Sequence, residues 1–242
     1  LRSALPARSE MCIRDSIIDS SDVRVLPGPL SYTVDNHEAI ASNWTRERAA
    51  NPTLFDGEFY LAPHAELIGG VFQAGFKRTS FATLMHWRHD VSQERPWHIF
   101  GVGVVVSSEG HLIAGRMSTQ NAGAGRVYFP AGSVDDNDIV DGAVDYDANR
   151  QREVREETGL DLLDARAERQ INLVTGNRSI ALFRRYYFDA PSTDLVSRIE
   201  RYLSAEEEPE LSEIIPVKAA RTMGDATPSY VRAFADWHFN NL

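Results

Sequence analysis

Four side chains that could do chemistry crowd into one short stretch: Arg152, Glu153, Glu156 and Glu157, within Arg152-Glu153-Val154-Arg155-Glu156-Glu157-Thr158-Gly159-Leu160. On an α-helix Glu153 lies three residues before Glu156 and four before Glu157, so the three carboxylates share one face. Like charges at that spacing cost roughly 0.2–0.5 kcal/mol per pair. Arg152 and Arg155 relieve part of this repulsion. A hard divalent cation such as Mg²⁺, which takes oxygen ligands, relieves more. The bland alternative is a solvated helix face whose charges only maintain solubility.

The elements around these residues are set up to hold them. Gly159 sits where a left-handed C-cap is expected, so the stretch reads as the end of a helix. Asp145 or Asp147 can accept hydrogen bonds from the free amides at its start. Upstream, the turn Tyr128-Phe129-Pro130-Ala131-Gly132 leads toward the helix. In order and residue type these pieces resemble the Nudix box, G-x5-E-x7-R-E-U-x-E-E-x-G-U (U apolar). Its right half is matched at every specified position from Arg152 to Leu160. The Tyr128–Gly132 segment looks like the aromatic-x-Pro-Gly-Gly turn that opens the box in many members.

The left half departs from that pattern. Counted back from Arg152, the first Glu of the box falls on Val144, which cannot bind a metal. Counted forward from Gly132, Arg152 arrives six residues late. An insertion within Ser133–Val144 accounts for both, and it carries Asp135, Asp136, Asp138 and Asp141. Asp141 is favoured over Asp138 as the replacement ligand because it lies closer to the helix start. Asp136 is expected to serve the turn only.

The resemblance covers about Trp97 to Leu242. It implies an α/β protein, a Nudix-type α/β/α sandwich with a mixed sheet, here preceded by a small α+β N-terminal unit. It implies Mg²⁺-dependent hydrolysis of a diphosphate bond in a nucleoside diphosphate linked to another moiety, with Mn²⁺ an acceptable substitute. Glu153, Glu156 and Glu157 would bind the metal with a backbone carbonyl of Ala131 or Gly132, while Arg152 orients a carboxylate. Arg116 and Arg126 are candidate phosphate contacts. Glu208, Glu210 and Glu213 are candidates for a further acid from a late loop. Trp44, Asn51-Pro52, Leu54-Phe55-Asp56-Gly57 and Thr79-Ser80-Phe81 are similar to the segment preceding the domain in the UDP-glucose/UDP-galactose diphosphatase branch, which makes a UDP-sugar one expected substrate. A catalytically inactive nucleotide-binding module of the same fold is the alternative, motivated by Val144.

Composition narrows the classes. The chain has 242 residues and a net charge of −10, which argues against a nucleic-acid partner. Its longest apolar run, Ile99 to Val106, is too short to span a bilayer, and no signal-like segment opens the chain. A cytoplasmic location is expected, and a homodimer through the N-terminal unit is left open. The single cysteine, Cys12, lies in Met11-Cys12-Ile13-Arg14-Asp15-Ser16. This is what ATG TGT ATA AGA GAC AG and one further base encode, a sequence that resembles a transposase adaptor end. Residues 1–16 are therefore expected to be a non-native, disordered segment, followed by the N-terminal unit at 17–95 and the hydrolase domain at 96–242.

Within these bounds the pattern predicts a helix over Asp35–Ala50 and a β-hairpin around Leu67–Phe76, while Thr79–Arg88 fits a helix or a strand, with helix favoured. Strands are expected at Trp97–Val106, His111–Met117, Glu168–Val174, Ser179–Phe188 and Leu211–Val217. Helices are expected at Asp194–Leu203 and Pro228–Phe239. Gly101 and Gly103 are read as strand-packing positions rather than a dinucleotide fingerprint. The histidines show no metal-ligand spacing.

Overall fold

A computed structural model describes residues 2–4, 14–92, 94–119 and 123–242. Its centre is the strand His98–Val106, whose residues alternate between two packed faces. It runs parallel to Ser179–Tyr187, with Gly101 opposite Leu182, and leads through an antiparallel turn into Leu112–Met117. Leu211–Val217 closes one side of this sheet, and Ile171–Gly176 followed by Arg14–Ile18 closes the other. Parallel and antiparallel pairings therefore coexist, and the sheet is mixed.

Helices cover both faces. On one, Val231, Phe234 and Ala235 of the helix Ser229–Asn240 pack with Phe100, Val102, Val104 and Val106. On the other, Val154 of the helix Tyr146–Thr158 and Leu195 and Ile199 of Ser192–Leu203 pack with Val105 and Ile113. The protein is an α/β fold in three layers, as expected. Gly101 and Gly103 explain how closely the Tyr146–Thr158 helix approaches. A Cβ on Gly103 would lie 2.5 Å from Val154 Cγ2, and one on Gly101 would lie 2.6 Å from Asn149 Oδ1.

The N-terminal unit forms a second sheet in which Ser20–Val25 runs parallel to Val71–Ser80. Ala65–Ile68 and Val71–Ser80 form the expected hairpin. Two boundaries differ from expectation. The strand continues to Ser80, where the Ser80 side chain caps a shorter helix, Phe81–Trp87. The first helical stretch is split into Ser31–Asp35 and His37–Ala50.

The two units exchange strands. Arg14–Ile18 pairs with Ile171–Gly176 in the central sheet, and Arg2–Ala4 pairs with Ala65–Ile68. The expectation of no structure across residues 1–16 is thus corrected where the chain is described, while Cys12 lies outside the described residues. In return, the insertion supplies a hairpin, Ile139–Val140 with Ala143–Val144, whose Ala143 pairs with Arg24. The N-terminal sheet therefore ends on a piece of the segment that precedes the acidic helix.

Candidate active site

The helix Tyr146–Thr158 is fixed at both ends by the residue types that sequence favours. Asp145 caps its start, accepting from the amides of Asp147 and Ala148 at 3.0 Å each. Gly159 ends it in the left-handed conformation at φ 68°. This puts Glu153 and Glu157 against Ala131–Ser133, a short strand paired with Phe100–Val102, while Glu156 is exposed beside Arg152. Glu157, only 6% exposed, accepts the Ala131 amide at 3.0 Å. Glu153 presses on Gly132, where an added Cβ would lie 2.0 Å from its carboxyl carbon. Only glycine admits that approach.

Burial governs the protonation of this face. It pushes the Glu153 carboxyl up to about 7 against the lowering charge of Arg152, with Glu156 adding to the rise. Glu157 is raised well above the usual range, by burial first and then by the charges of Glu153, Glu210 and Glu156, despite its bond from Ala131. Glu210, exposed like Glu208, nevertheless has its carboxyl raised by partial burial and by the charge of Glu156. Of the three late-loop candidates, Glu210 therefore shares the field of the cluster. Glu213 is held by Arg116 at 2.7 Å, and Glu208 is exposed.

Arg152 stands at the centre of the acids. It contacts Asp138 Oδ2 at 2.9 Å, Glu153 Oε1 at 2.7 Å and Glu156 Oε2 at 3.1 Å. Burial opposes its charge, but the hydrogen bond to Asp138 and the charges of Glu153 and Asp138 raise its pKa further. Its guanidinium thus contacts one carboxylate from the insertion and two from the helix.

The inserted aspartates divide in an unexpected way. Asp141 occupies an exposed two-residue turn with Gly142, at φ 51° and 75°, the conformation that suits a tight hairpin. Asp138 is instead the residue brought to the helix. It is 2% exposed and accepts from Arg152, from Asn149 Nδ2 at 2.9 Å and from the Asp135 amide at 3.1 Å. Asp136 does more than serve the turn: the Tyr60 hydroxyl donates to it, and Arg78 reaches it at 3.0 Å. Asn149 was not singled out from the sequence. Its position three residues before Arg152, on the same helix face, was the available signal.

The two candidate phosphate contacts also separate. Arg116 is engaged by Glu213 and by the Gly125 carbonyl at 3.1 Å. Arg126 is exposed, meets the Tyr128 hydroxyl at 3.4 Å and has no carboxylate partner among the described residues. The two lie at the same strand pair, in which Arg116 is opposite Val127 and the Arg126 carbonyl accepts the Met117 amide.

No protein-family model and no curated protein matches this chain. Several solved structures do resemble it. One is the MutT protein from Methanosarcina mazei Go1, 19% identical, with a TM-score of 0.41 over 62% of this chain and 97% of that one. Another is the Nudix domain of Shewanella oneidensis NrtR, complexed with ADP ribose, at 9% identity and a TM-score of 0.40, covering 60% and 88%. A Nudix hydrolase from Nitrosomonas europaea shows 16% identity and a TM-score of 0.36 over 60% and 90%. Likeness at these scores carries no argument, so the functional reading rests on the chain's own residues.

The acidic recess suits a divalent cation in the chemistry of its donors. Carboxylate and carbonyl oxygens are hard ligands, and the raised carboxyl groups are ones that a cation would stabilise in ionised form. The recess is not a closed ligand set, however: among the described residues no three Asp, Glu, His or Cys side chains converge around one point. Arg152 draws Glu153 and Glu156 to itself.

Proposed function

We propose that this chain is a Nudix-type hydrolase that cleaves a diphosphate bond in a nucleoside diphosphate linked to another moiety, with Mg²⁺ or Mn²⁺ as cofactor. One observation carries the reading. The motif's carboxylates meet the loop that the motif places before them, with Glu153 against Gly132 and Glu157 on the Ala131 amide. A helix bearing these charges only for solubility has no reason to bury Glu157.

Glu153, Glu156 and Glu157 would hold the metal, with a carbonyl of Ala131 or Gly132. A bound divalent cation lowers the pKa of water and neutralises charge on phosphoryl oxygens. The chain's residues do the rest. Arg152, anchored by Asp138, keeps Glu153 and Glu156 oriented in the absence of metal. Glu153, whose carboxyl is pushed up to about 7 without metal, would be held ionised by the cation and so bind it with release of a proton. Arg126 is the better placed of the two arginines to meet a phosphate, because Arg116 is already paired. Asp138 supplies, from the insertion, a buried carboxylate that holds Arg152 beside the helix.

A UDP-sugar is the substrate favoured within this class, on the likeness of the N-terminal unit to the UDP-glucose/UDP-galactose diphosphatase branch. The test is a Mg²⁺-dependent assay of released phosphomonoesters across nucleoside diphosphate sugars and dinucleotides. Hydrolysis of at least one linked diphosphate supports the reading. Stoichiometric binding without turnover across the whole panel would support the inactive module instead.

A further inference from the structure

A cavity of about 750 Å³ lies in the N-terminal unit, lined by residues from Pro29 to Pro96 and by none from the acidic helix. That volume is in the range of small-molecule sites. Its walls are rich in hydrogen-bond donors that lack a counterpart. Asn43 is 3% exposed; its Oδ1 accepts from Arg46 at 3.2 Å, but its Nδ2 has no partner. Arg95 is also 3% exposed and its Nε is unpartnered, while its other nitrogens bond carbonyl oxygens of Asp90 and Asn177. Lys77 donates to the carbonyl of Pro27. Among the described residues none of Arg46, Lys77 and Arg95 is within 4.0 Å of a carboxylate oxygen.

Three acids also line the cavity. Asp90 is committed to the Tyr32 hydroxyl at 2.9 Å and the Ser92 amide at 2.7 Å. Asp35 and Glu94 are exposed and can stay solvated. The Arg95 guanidinium is compensated by the oxygens of Asp90 and Asn177 and by the Trp87 ring 4.9 Å away, whereas a buried amide without an acceptor is costly when left alone. The Asn43 amide therefore asks for an acceptor oxygen, and Arg46 and Lys77 bring positive charge to the same cavity. Tyr32 and His86, with ring centroids 6.1 Å apart, add an aromatic wall beside these donors.

We propose that this cavity is a second, metal-independent site for an organic phosphomonoester, its phosphate met by Arg46, Lys77 and the Asn43 amide, and its organic part lying against Tyr32 and His86. The site is separate from the acidic helix and does not depend on the hydrolase reading. Fork-shaped and ammonium donors suit a phosphate, and the volume leaves room for a body of nucleotide size.

The test is an NMR titration of the full chain in EDTA, which removes divalent metal, following the Asn43 side-chain amide. The probes are ribose 5-phosphate, uridine 5′-monophosphate and inorganic phosphate. Saturable movement of the Asn43 resonance by either organic phosphate is expected. Arg46→Gln and Lys77→Gln should each weaken binding about tenfold, the loss of one charge-assisted contact. Both positions are on the wall rather than in the core, so these variants are expected to fold, and unchanged spectra elsewhere verify it. No movement of Asn43, movement confined to Glu153–Glu157, or equal affinity for inorganic phosphate would each overturn the proposal.

Discussion

Asp138 holds Arg152 by a 2.9 Å contact between Oδ2 and Nη2, reaching the acidic helix from the insertion whose hairpin belongs to the N-terminal sheet. The carboxylate is 2% exposed and also takes the Asn149 amide, so its charge is compensated on two sides. Arg152 then spans the distance to Glu153 and Glu156. Through this pair the N-terminal unit and the acidic helix share one charge network.

Asp138→Asn should therefore matter more than Asp141→Asn. Losing the charged acceptor costs roughly 1–3 kcal/mol of stability, and loosening a residue that orients metal-binding groups lowers activity about ten- to a hundredfold. Asp141→Asn should be nearly silent, because asparagine accepts the same positive φ. Denaturation midpoints and apparent Mg²⁺ affinity of the two variants check this. Equal effects would show that Asp138 is not what holds Arg152.

Gly132→Ala tests the contact between loop and helix. The added methyl would lie 2.0 Å from the Glu153 carboxyl carbon, so Glu153 must move. Overpacking of this kind costs about 1–3 kcal/mol, and Mg²⁺ affinity should fall with it. A variant with wild-type metal affinity would place Glu153 outside the metal site.

The contribution of Glu153 to the stability of the metal-free protein should fall as pH rises. Folded Glu153 keeps its proton until about pH 7, whereas an unfolded glutamate releases it near its ordinary, lower pKa. Between those values the folded state binds more protons, so stability falls across that window, by on the order of 1–3 kcal/mol. Glu157 is shifted in the same direction. Thermal midpoints in EDTA at pH 5 and pH 8 measure this, and Mg²⁺ should restore the loss at pH 8. His98 and His238, whose pKa values are lowered by burial, act in the opposite direction here. The check is therefore the difference between wild type and Glu153→Gln, and a difference that does not fall with pH would contradict the burial of this carboxyl.

Tyr60→Phe removes the hydroxyl that donates to Asp136 and should cost about 1 kcal/mol. Asp136 is held below the usual carboxylate range chiefly by that bond. Chemical denaturation detects the change, and an unaltered midpoint would mean that this contact does not tie the insertion to the N-terminal unit.

Much of the architecture was legible because local rules and packing agree. Gly159, Asp145 and the Glu153–Glu157 spacing mark a helix and one charged face, and Gly101 and Gly103 mark a strand that a helix approaches closely. The insertion was legible only as a count of residues. Its turn chemistry was visible in Asp141-Gly142, but the partner of Asp138 was not, since that depends on where a hairpin docks. Proximity in sequence favoured Asp141; the tight turn instead carries it to an exposed tip. The strand Arg14–Ile18 was missed for a related reason. Only Ile17 and Ile18 are apolar there, and pairing with Ile171–Gly176 is a long-range contact that no local pattern announces.

The central claim is that the buried face of the acidic helix binds a divalent cation that hydrolysis requires. Calorimetric titration of Mg²⁺ into the wild type and Glu157→Gln, paired with turnover of the best linked diphosphate, tests it most directly. Removing a ligand should weaken binding and cut turnover by at least about a hundredfold, while the fold stays intact, because glutamine can still accept the Ala131 amide. Wild-type Mg²⁺ affinity and near-normal turnover in Glu157→Gln would contradict the account.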